Sequence, residues 1–211
     1  MERTRDIRIL VTCFAPLRGK KESASKEALS CLRKKERGVE LYRAELPHAH
    51  GSALARAWEE AEGVHPDGVL LLAAAPGRAV VSVERVAVNL VRGSRPDCRE
   101  KRIRRDAPDA YFATIPVQQV AAEIVEAGIP AEVSLSAGTG VENELLFGML
   151  DRAKRAGTGM RVGMLQFPCL PEEAVTECGT IPSMGKTVSG AAAERAVRAM
   201  ARAIRKGDTD D

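Results

Sequence analysis

At 211 residues, with 45% apolar and 29% charged residues, the chain is long enough for one well-buried core and short for two, and its composition excludes a disordered protein. A net charge of +3 gives no case for a nucleic-acid partner, and no stretch approaches the roughly 18 apolar residues of a membrane span. The N-terminus is charged and lacks an apolar targeting segment, so a cytoplasmic location is expected for a single domain over 1–211, with 1–5 and 206–211 as loose ends.

Residues 7–12 (IRILVT) form an apolar run suited to a buried strand, and the Pro16 and Gly19 region after it reads as a loop. Residues 40–45 alternate enough for a second strand. Helical stretches lie between the strands: residues 52–61 place Leu54, Ala55, Trp58 and Ala61 on one stripe, the pattern of a helix packed on a sheet. Residues 68–73 (GVLLLA) are a fully apolar strand of the kind covered on both faces. Residues 79–88 put apolar side chains at 79, 81 and 83 and then at 86–88, which fits no one element type.

The second half repeats strand and helix. Residues 117–127 read as a helix, 131–135 as a strand, 140–154 as a helix and 161–166 as a strand. Residues 191–205 set Val197, Met200, Ala201 and Ile204 against Arg195, Arg198, Arg202 and Arg205, an amphipathic closing helix. The alternation predicts an α/β fold, three layers α/β/α around a mostly parallel twisted sheet. Ligands of such folds sit beyond the carboxyl ends of strands, here the turns 13–23, 73–78, 136–143 and 166–171.

The five cysteines form an odd set without CxxC spacing, and His48, His50 and His65 all lie in the first third of the chain. Neither a disulfide framework nor a metal-ligand set follows, and no cofactor is expected. The basic run 99–105 reads as a solvated loop, with an anionic ligand as the lesser reading.

Those strand-end turns resemble the signature segments of the pyroglutamyl peptidase I family (peptidase family C15). Segment 75–89, APGRAVVSVERVAVN, resembles the family's APGR followed by ERVAVN; 110–116, AYFATIP, resembles AYFSTLP; 128–131 is GIPA; and 181–184, IPSM, resembles the family's PSM. The resemblance implies the family's fold, a dimer or tetramer, and a catalytic glutamate at Glu84. The nucleophile motif SAGTxVCN is matched by SAGTGVEN at 136–143, with Glu142 at the cysteine position. The histidine motif IHVPYLPEQ is matched by LQFPCLPEE at 165–173, with Gln166 at the histidine position. The family's thiolate, base and orienting carboxylate are thus represented by Glu84 alone. Losing a nucleophile or base from a coupled triad costs on the order of 10⁴ to 10⁶ in kcat, so cysteine-peptidase turnover is not expected.

The resemblance places the ligand against Phe14, Leu17, Ala74, Gly77, Arg78, Gly138, Thr139 and Asn143. The loop GFEPFGG is represented by CFAPLRG at 13–19, which keeps Phe14 and puts Leu17 at the second aromatic. With Ala74 also small, the pocket reads as wider than the family's.

Glu142 has two readings. A carboxylate in a helix's first turn is favoured by the macrodipole at roughly 0.3 to 1 kcal/mol. Alternatively Glu84 and Glu142 face one cleft, and their repulsion splits the pair into an acid and a base; Arg78 or Arg85 at Glu142 would make it an ordinary ion network. Gln166 is expected to fill the histidine's space and hydrogen-bond Glu84. Cys13 and Cys169 flank the cleft as small buried residues, and His48 and His50 read as solvent-exposed loop histidines. Two functional readings remain: a small-molecule or peptide-terminus site with new Glu84/Glu142 proton-transfer chemistry, and an inactive pseudopeptidase that binds.

Overall fold

A computed structural model of the chain describes residues 5–16, 22–36, 38–92, 99–176 and 181–207. Its elements are β1 (Ile7–Phe14), α1 (Ala24–Cys31), β2 (Lys35–Glu36), β3 (Val39–Leu46), α2 (Ser52–Val64), β4 (Gly68–Ala74), β5 (Val81–Glu84), β6 (Val86–Val88), β7 (Ala110–Phe112), α3 (Val117–Glu126), β8 (Ala131–Ser134), α4 (Val141–Ala156), β9 (Arg161–Phe167), α5 (Pro171–Thr176) and α6 (Lys186–Lys206). β1, β3, β4, β8 and β9 and the helices α2, α3, α4 and α6 fall where the apolar periodicity places them, whereas α1, β2, β7 and α5 are additional. The ambiguous stretch 79–88 resolves into two strands of different sheets.

The main sheet has the order β2-β3-β1-β4-β9-β5-β8. β3, β1, β4 and β9 are parallel, β5 and β8 are parallel to each other, and the β5–β9 step is antiparallel, as is the short β2 edge. The expected α/β class with a mostly parallel sheet is what the chain forms. Side chains alternate between two buried layers. Ile9, Val11, Leu70, Leu72, Val81 and Val83 pack with α1, α3 and α6; Leu10, Val69, Leu71, Val162 and Met164 pack with α2 and α4. The wholly apolar β4 is the strand that two covered faces require.

Close packing fixes two glycines. A Cβ on Gly163 of β9 would lie 2.1 Å from Cδ1 of buried Ile115, and one on Gly148 of α4 would lie 2.3 Å from Cδ2 of Leu54 on α2. The second contact draws α2 and α4 together over the sheet. That places the start of α4 beside the ends of β1 and β3, where the candidate site forms. Among the described residues no helix is long and apolar enough to cross a membrane.

Candidate active site

The register brings strand ends to one edge: Phe14 pairs with Leu46, and Ala74 with Phe167. A cavity of about 210 Å³ opens there, lined by Phe14, Ala74, Pro76, His48, Glu142 and Glu173 among others. Its apolar side comes from Phe14 and the 74–76 turn, its polar side from the start of α4 and the chain after β3. Such a volume suits one small ring and does not argue for a ligand larger than pyroglutamate. Leu17 lies outside the described residues.

Glu142 sits in the first turn of α4 behind the N-cap Gly140, which has no side-chain cap, and its carboxylate takes the place of one. Oε1 lies 2.8 Å from Nε2 of His48, with side-chain exposures of 20% and 29%. Burial pushes the Glu142 carboxyl up. The His48 bond, the residue's own backbone N–H and the charges of His48 and His50 outweigh burial, so it is held below the ordinary value. The bond to Glu142 correspondingly raises the His48 pKa, against a smaller opposing effect of burial. The Phe14 ring meets the imidazole edge-on, centroids 4.8 Å apart. His50 repeats the motif one turn outward, its Nδ1 bonded to Oε2 of Glu144. His50 is thus an exposed loop histidine as expected, though bonded to Glu144, whereas His48 is half-buried and is the partner that Glu142 meets.

Glu84 stands apart. Because β5 runs against β9, its chain starts at the site edge and descends, so Glu84 lies one step beyond the Val83–Leu165 pair, fully buried. Oε1 accepts from Arg78 Nη1 at 2.6 Å, and Arg78 Nη2 donates to the Ser136 carbonyl at 2.9 Å, tying the 75–78 turn to the loop before α4. Burial raises the Glu84 pKa, opposed by the Ser134 hydroxyl and by Arg78. That hydroxyl donates to the Ser136 carbonyl at 3.3 Å, and Oε2 of Glu84 is buried without a formed hydrogen bond. Beyond burial, the groups that act on the two carboxylates differ: Ser134 and Arg78 on Glu84, His48 and His50 on Glu142.

Gln166 is also buried, but its amide points along its own strand, Nε2 lying 4.0 Å from Sδ of Met164. The expected bond to Glu84 does not form. Asn143 is no ligand residue either: its Oδ1 accepts from the Val88 N–H, and its Nδ2 donates to the Val88 and Leu90 carbonyls, each at 2.9 Å, clamping α4 to β6. Gly77 and Gly138 take φ of +90° and +80° in the two flanking turns, and the Thr139 carbonyl accepts from the Arg92 N–H. None of these three lines the cavity, nor does Arg78; of the expected binding residues Phe14 and Ala74 do, joined by Glu142.

Cys13 is buried as expected, and desolvation, with Glu45 nearby, pushes its thiol up to about 12. Cys169 is buried too. The basic run is partly structural, since Arg104 and Arg155 flank the buried Asp151 carboxylate at 3.1 and 3.0 Å, and Arg102 binds Asp109.

The pyroglutamyl peptidase family profile matches residues 7–205. The chain belongs to the pyroglutamyl peptidase family. It is 34% identical to pyrrolidone-carboxylate peptidase 1 of Caldanaerobacter subterraneus over 94% of this chain and 100% of that one. It is 36% identical to the pyrrolidone-carboxylate peptidase of Erwinia tasmaniensis, covering 90% and 91%. Among solved structures, pyroglutamyl peptidase I from Bacillus amyloliquefaciens superposes with a TM-score of 0.86 at 27% identity, covering 93% of this chain and 95% of that one. A mutant pyrrolidone carboxyl peptidase from Pyrococcus furiosus gives 0.86 at 28%, covering 94% and 100%.

Within that family fold, the residue sequence reasoning missed is His48. The signal available was positional: it follows the strand whose end pairs with Phe14. Three residues after Leu46 the chain turns over the same edge, as the Ala49 N–H bond to the Pro47 carbonyl and the start of α2 at Ser52 require.

Proposed function

We propose that this chain is a pyroglutamyl peptidase family member that recognises a small lactam, amide or peptide terminus at the family's strand-end site without thiol-peptidase chemistry. The His48–Glu142 pair carries this reading. A carboxylate held below its ordinary pKa by a histidine and a helix start is a poor nucleophile toward an unactivated amide. The imidazole Nε2 is engaged by Glu142, which ties up the nitrogen that faces the carboxylate. Gln166 cannot shuttle protons near neutral pH. What remains is a small cavity with an aromatic wall, a fixed anion and backbone amides, which is the equipment of a binding site. The relatives are named for pyrrolidone-carboxylate, and the cavity volume accommodates a ring of that size.

One observation favours the second reading, an acid/base enzyme. Environment drives Glu84 up and Glu142 down, the divergence that separates acid from base in carboxylate pairs. Glu142→Gln separates the two readings: turnover would be abolished in the enzyme, whereas lactam affinity would stay nearly unchanged in the binding protein.

The primary test is hydrolysis of a pyroglutamyl-coumarin amide at high enzyme concentration by the wild type and by a Glu142→Cys, Gln166→His double variant. The wild type should be silent and the variant active. Wild-type turnover would overturn the proposal, and silence in both, with no lactam binding by calorimetry, would show that the pocket serves another ligand.

A further inference from the structure

The short strand β7 pairs with β6 on one side only. Flanking hydrogen bonds fix which of its backbone groups face that pair. The Asn89 N–H donates to the Asp109 carbonyl at 2.7 Å, and the Ala113 N–H to the Arg85 carbonyl at 2.8 Å. With Ala87 opposite Tyr111, the antiparallel alternation gives the ladder bonds to residues 109, 111 and 113. It turns the N–H and C=O groups of Ala110 and Phe112 to the outer edge.

The two edges of this small sheet end differently. On the β6 edge the outward groups of Val88 are taken up by the Asn143 amide, which accepts from its N–H and donates to its carbonyl. On the β7 edge nothing among the described residues takes up those of Ala110 and Phe112, and both residues are exposed. The edge is nevertheless held in place. The Tyr111 ring rests on Phe147 with centroids 5.1 Å apart, its hydroxyl donates to Asp151 at 3.1 Å, and Asn89 Nδ2 donates to the Arg104 and Pro108 carbonyls ahead of the strand. A fixed edge with free backbone groups is a template for one more strand.

That edge borders a groove of about 770 Å³. Tyr111, Leu150, Ala153 and Met160 give it an apolar lining, and Phe112, 68% exposed, stands beside them. Lys154 and Arg161 also line it, and no aspartate or glutamate does. The Lys154 ammonium lies over the Tyr111 ring, 5.4 Å from its centre, and the Arg161 guanidinium reaches the Thr114 carbonyl at 3.4 Å. Among the described residues neither meets a carboxylate, whereas the neighbouring Arg104 and Arg155 are both held by Asp151. An open strand edge, an apolar lining and two uncompensated cations together call for an extended backbone that carries apolar side chains and carboxylates.

We infer that this groove takes an extended acidic peptide segment of another protein, which adds a strand to β7 through the free groups of Ala110 and Phe112. Its apolar side chains lie against Tyr111 and Met160, and its carboxylates face Lys154 and Arg161. Main-chain bonds supply the affinity in such pairing, and side chains the selectivity. The groove shares no lining residue with the strand-end cavity, and its occupant is independent of the function proposed there.

The test is fluorescence anisotropy of fluorescein-Glu-Asp-Val-Thr-Val-Asp-Glu-amide with the full chain at low salt. Three peptides are compared with it: one with lysine at the four acidic positions, one with the valine nitrogens methylated, and one with the threonine and aspartate nitrogens methylated. The acidic peptide should bind and the lysine peptide should not. At least one methylated peptide should lose binding, because the N–H groups that face β7 belong to one of these alternating sets. Lys154→Gln and Arg161→Gln should each weaken binding about threefold. Ala110→Pro removes an N–H that β6 does not use and should weaken it about tenfold or more; the methylated peptides put the same question to the unaltered protein. Glu142→Gln should change nothing. No binding at about 1 mM peptide, equal binding of the lysine peptide, or full binding of both methylated peptides overturns the assignment. So does a single-stranded oligonucleotide that binds as tightly, which would make the groove a general anion patch. A dimer by light scattering that Ala110→Pro dissociates would seat a second copy of the chain on the edge and overturn it as well.

Discussion

Replacing Glu142 with glutamine tests the electrostatics of the candidate site most directly. The His48–Glu142 bond is charge-assisted and partly buried, with exposures of 29% and 20%. Such bonds contribute about 1.5 to 3 kcal/mol, and a carboxylate at a helix start about 0.3 to 1. Glutamine keeps an acceptor oxygen for Nε2 and for the helix amide, so the net loss should be about 1.5 kcal/mol near pH 6. For a chain of this length that lowers the thermal midpoint by roughly 3 to 6 °C. The pH dependence carries the sign. His48 has a raised folded pKa, so its contribution is complete below its unfolded value of about 6.5 and disappears as pH rises through the folded value. Glu142 has a lowered one, so its contribution is complete above about 4.3 and disappears as pH falls through the folded value. The deficit of Glu142→Gln relative to wild type should therefore peak between about pH 4.5 and 6.5 and shrink toward pH 9. Urea unfolding across that range measures it, and NMR titration of the His48 ring should show its pKa falling in the variant. A deficit constant from about pH 6 to 9 would refute the ion pair.

Arg78→Met should strand the buried Glu84 charge and destabilise by about 3 to 5 kcal/mol at neutral pH, with Glu84→Gln restoring much of it in the double variant. Because the folded pKa of Glu84 is already raised, its ionisation lowers stability as pH climbs above the unfolded value, and Arg78→Met should extend that decline to higher pH, as denaturant curves at several pH values would show. Asn143→Ala removes three hydrogen bonds to the β6 segment and should cost about 3 kcal/mol, with faster amide exchange at Val88 as the local readout. Iodoacetamide at pH 8 should label the exposed Cys31 well before Cys13, whose thiol is raised to about 12, as peptide mass spectrometry would report.

Much of the architecture was legible because its signals are local. The unbroken apolar run at Gly68–Ala74 and the amphipathic period of α6 each specify an element without reference to the rest of the chain. β2, β7 and α5 span two to six residues and show no full period, so pattern could not find them. α6 begins earlier than its charged stripe suggests because its first turns bury small residues, Gly190 packing on Cys31. The site was legible as a set of turns but not as a set of pairs. Pairing Glu142 with His48 depends on the β1–β3 register and on the approach of α2 to α4, both of which are tertiary. Separating Glu84 from Glu142 depends on the antiparallel β5–β9 step, which the strand and helix alternation does not announce.

The start of α4 is suited to a carboxylate at position 142. Its first amides and aligned peptide dipoles favour an anion, so the Glu142 carboxylate is accommodated there. Half-burial would still penalise that charge. The chain answers with a histidine on the neighbouring strand end, which donates to the carboxylate, rests on Phe14 and leaves the carboxyl more acidic than in water. Glu84 is paired with Arg78 and has one buried oxygen without a formed hydrogen bond. The carboxylate bonded to His48 and the one buried behind Arg78 thus form two ion pairs with different partners. Those separate partners are what the proposed reading, recognition without proton transfer, rests on.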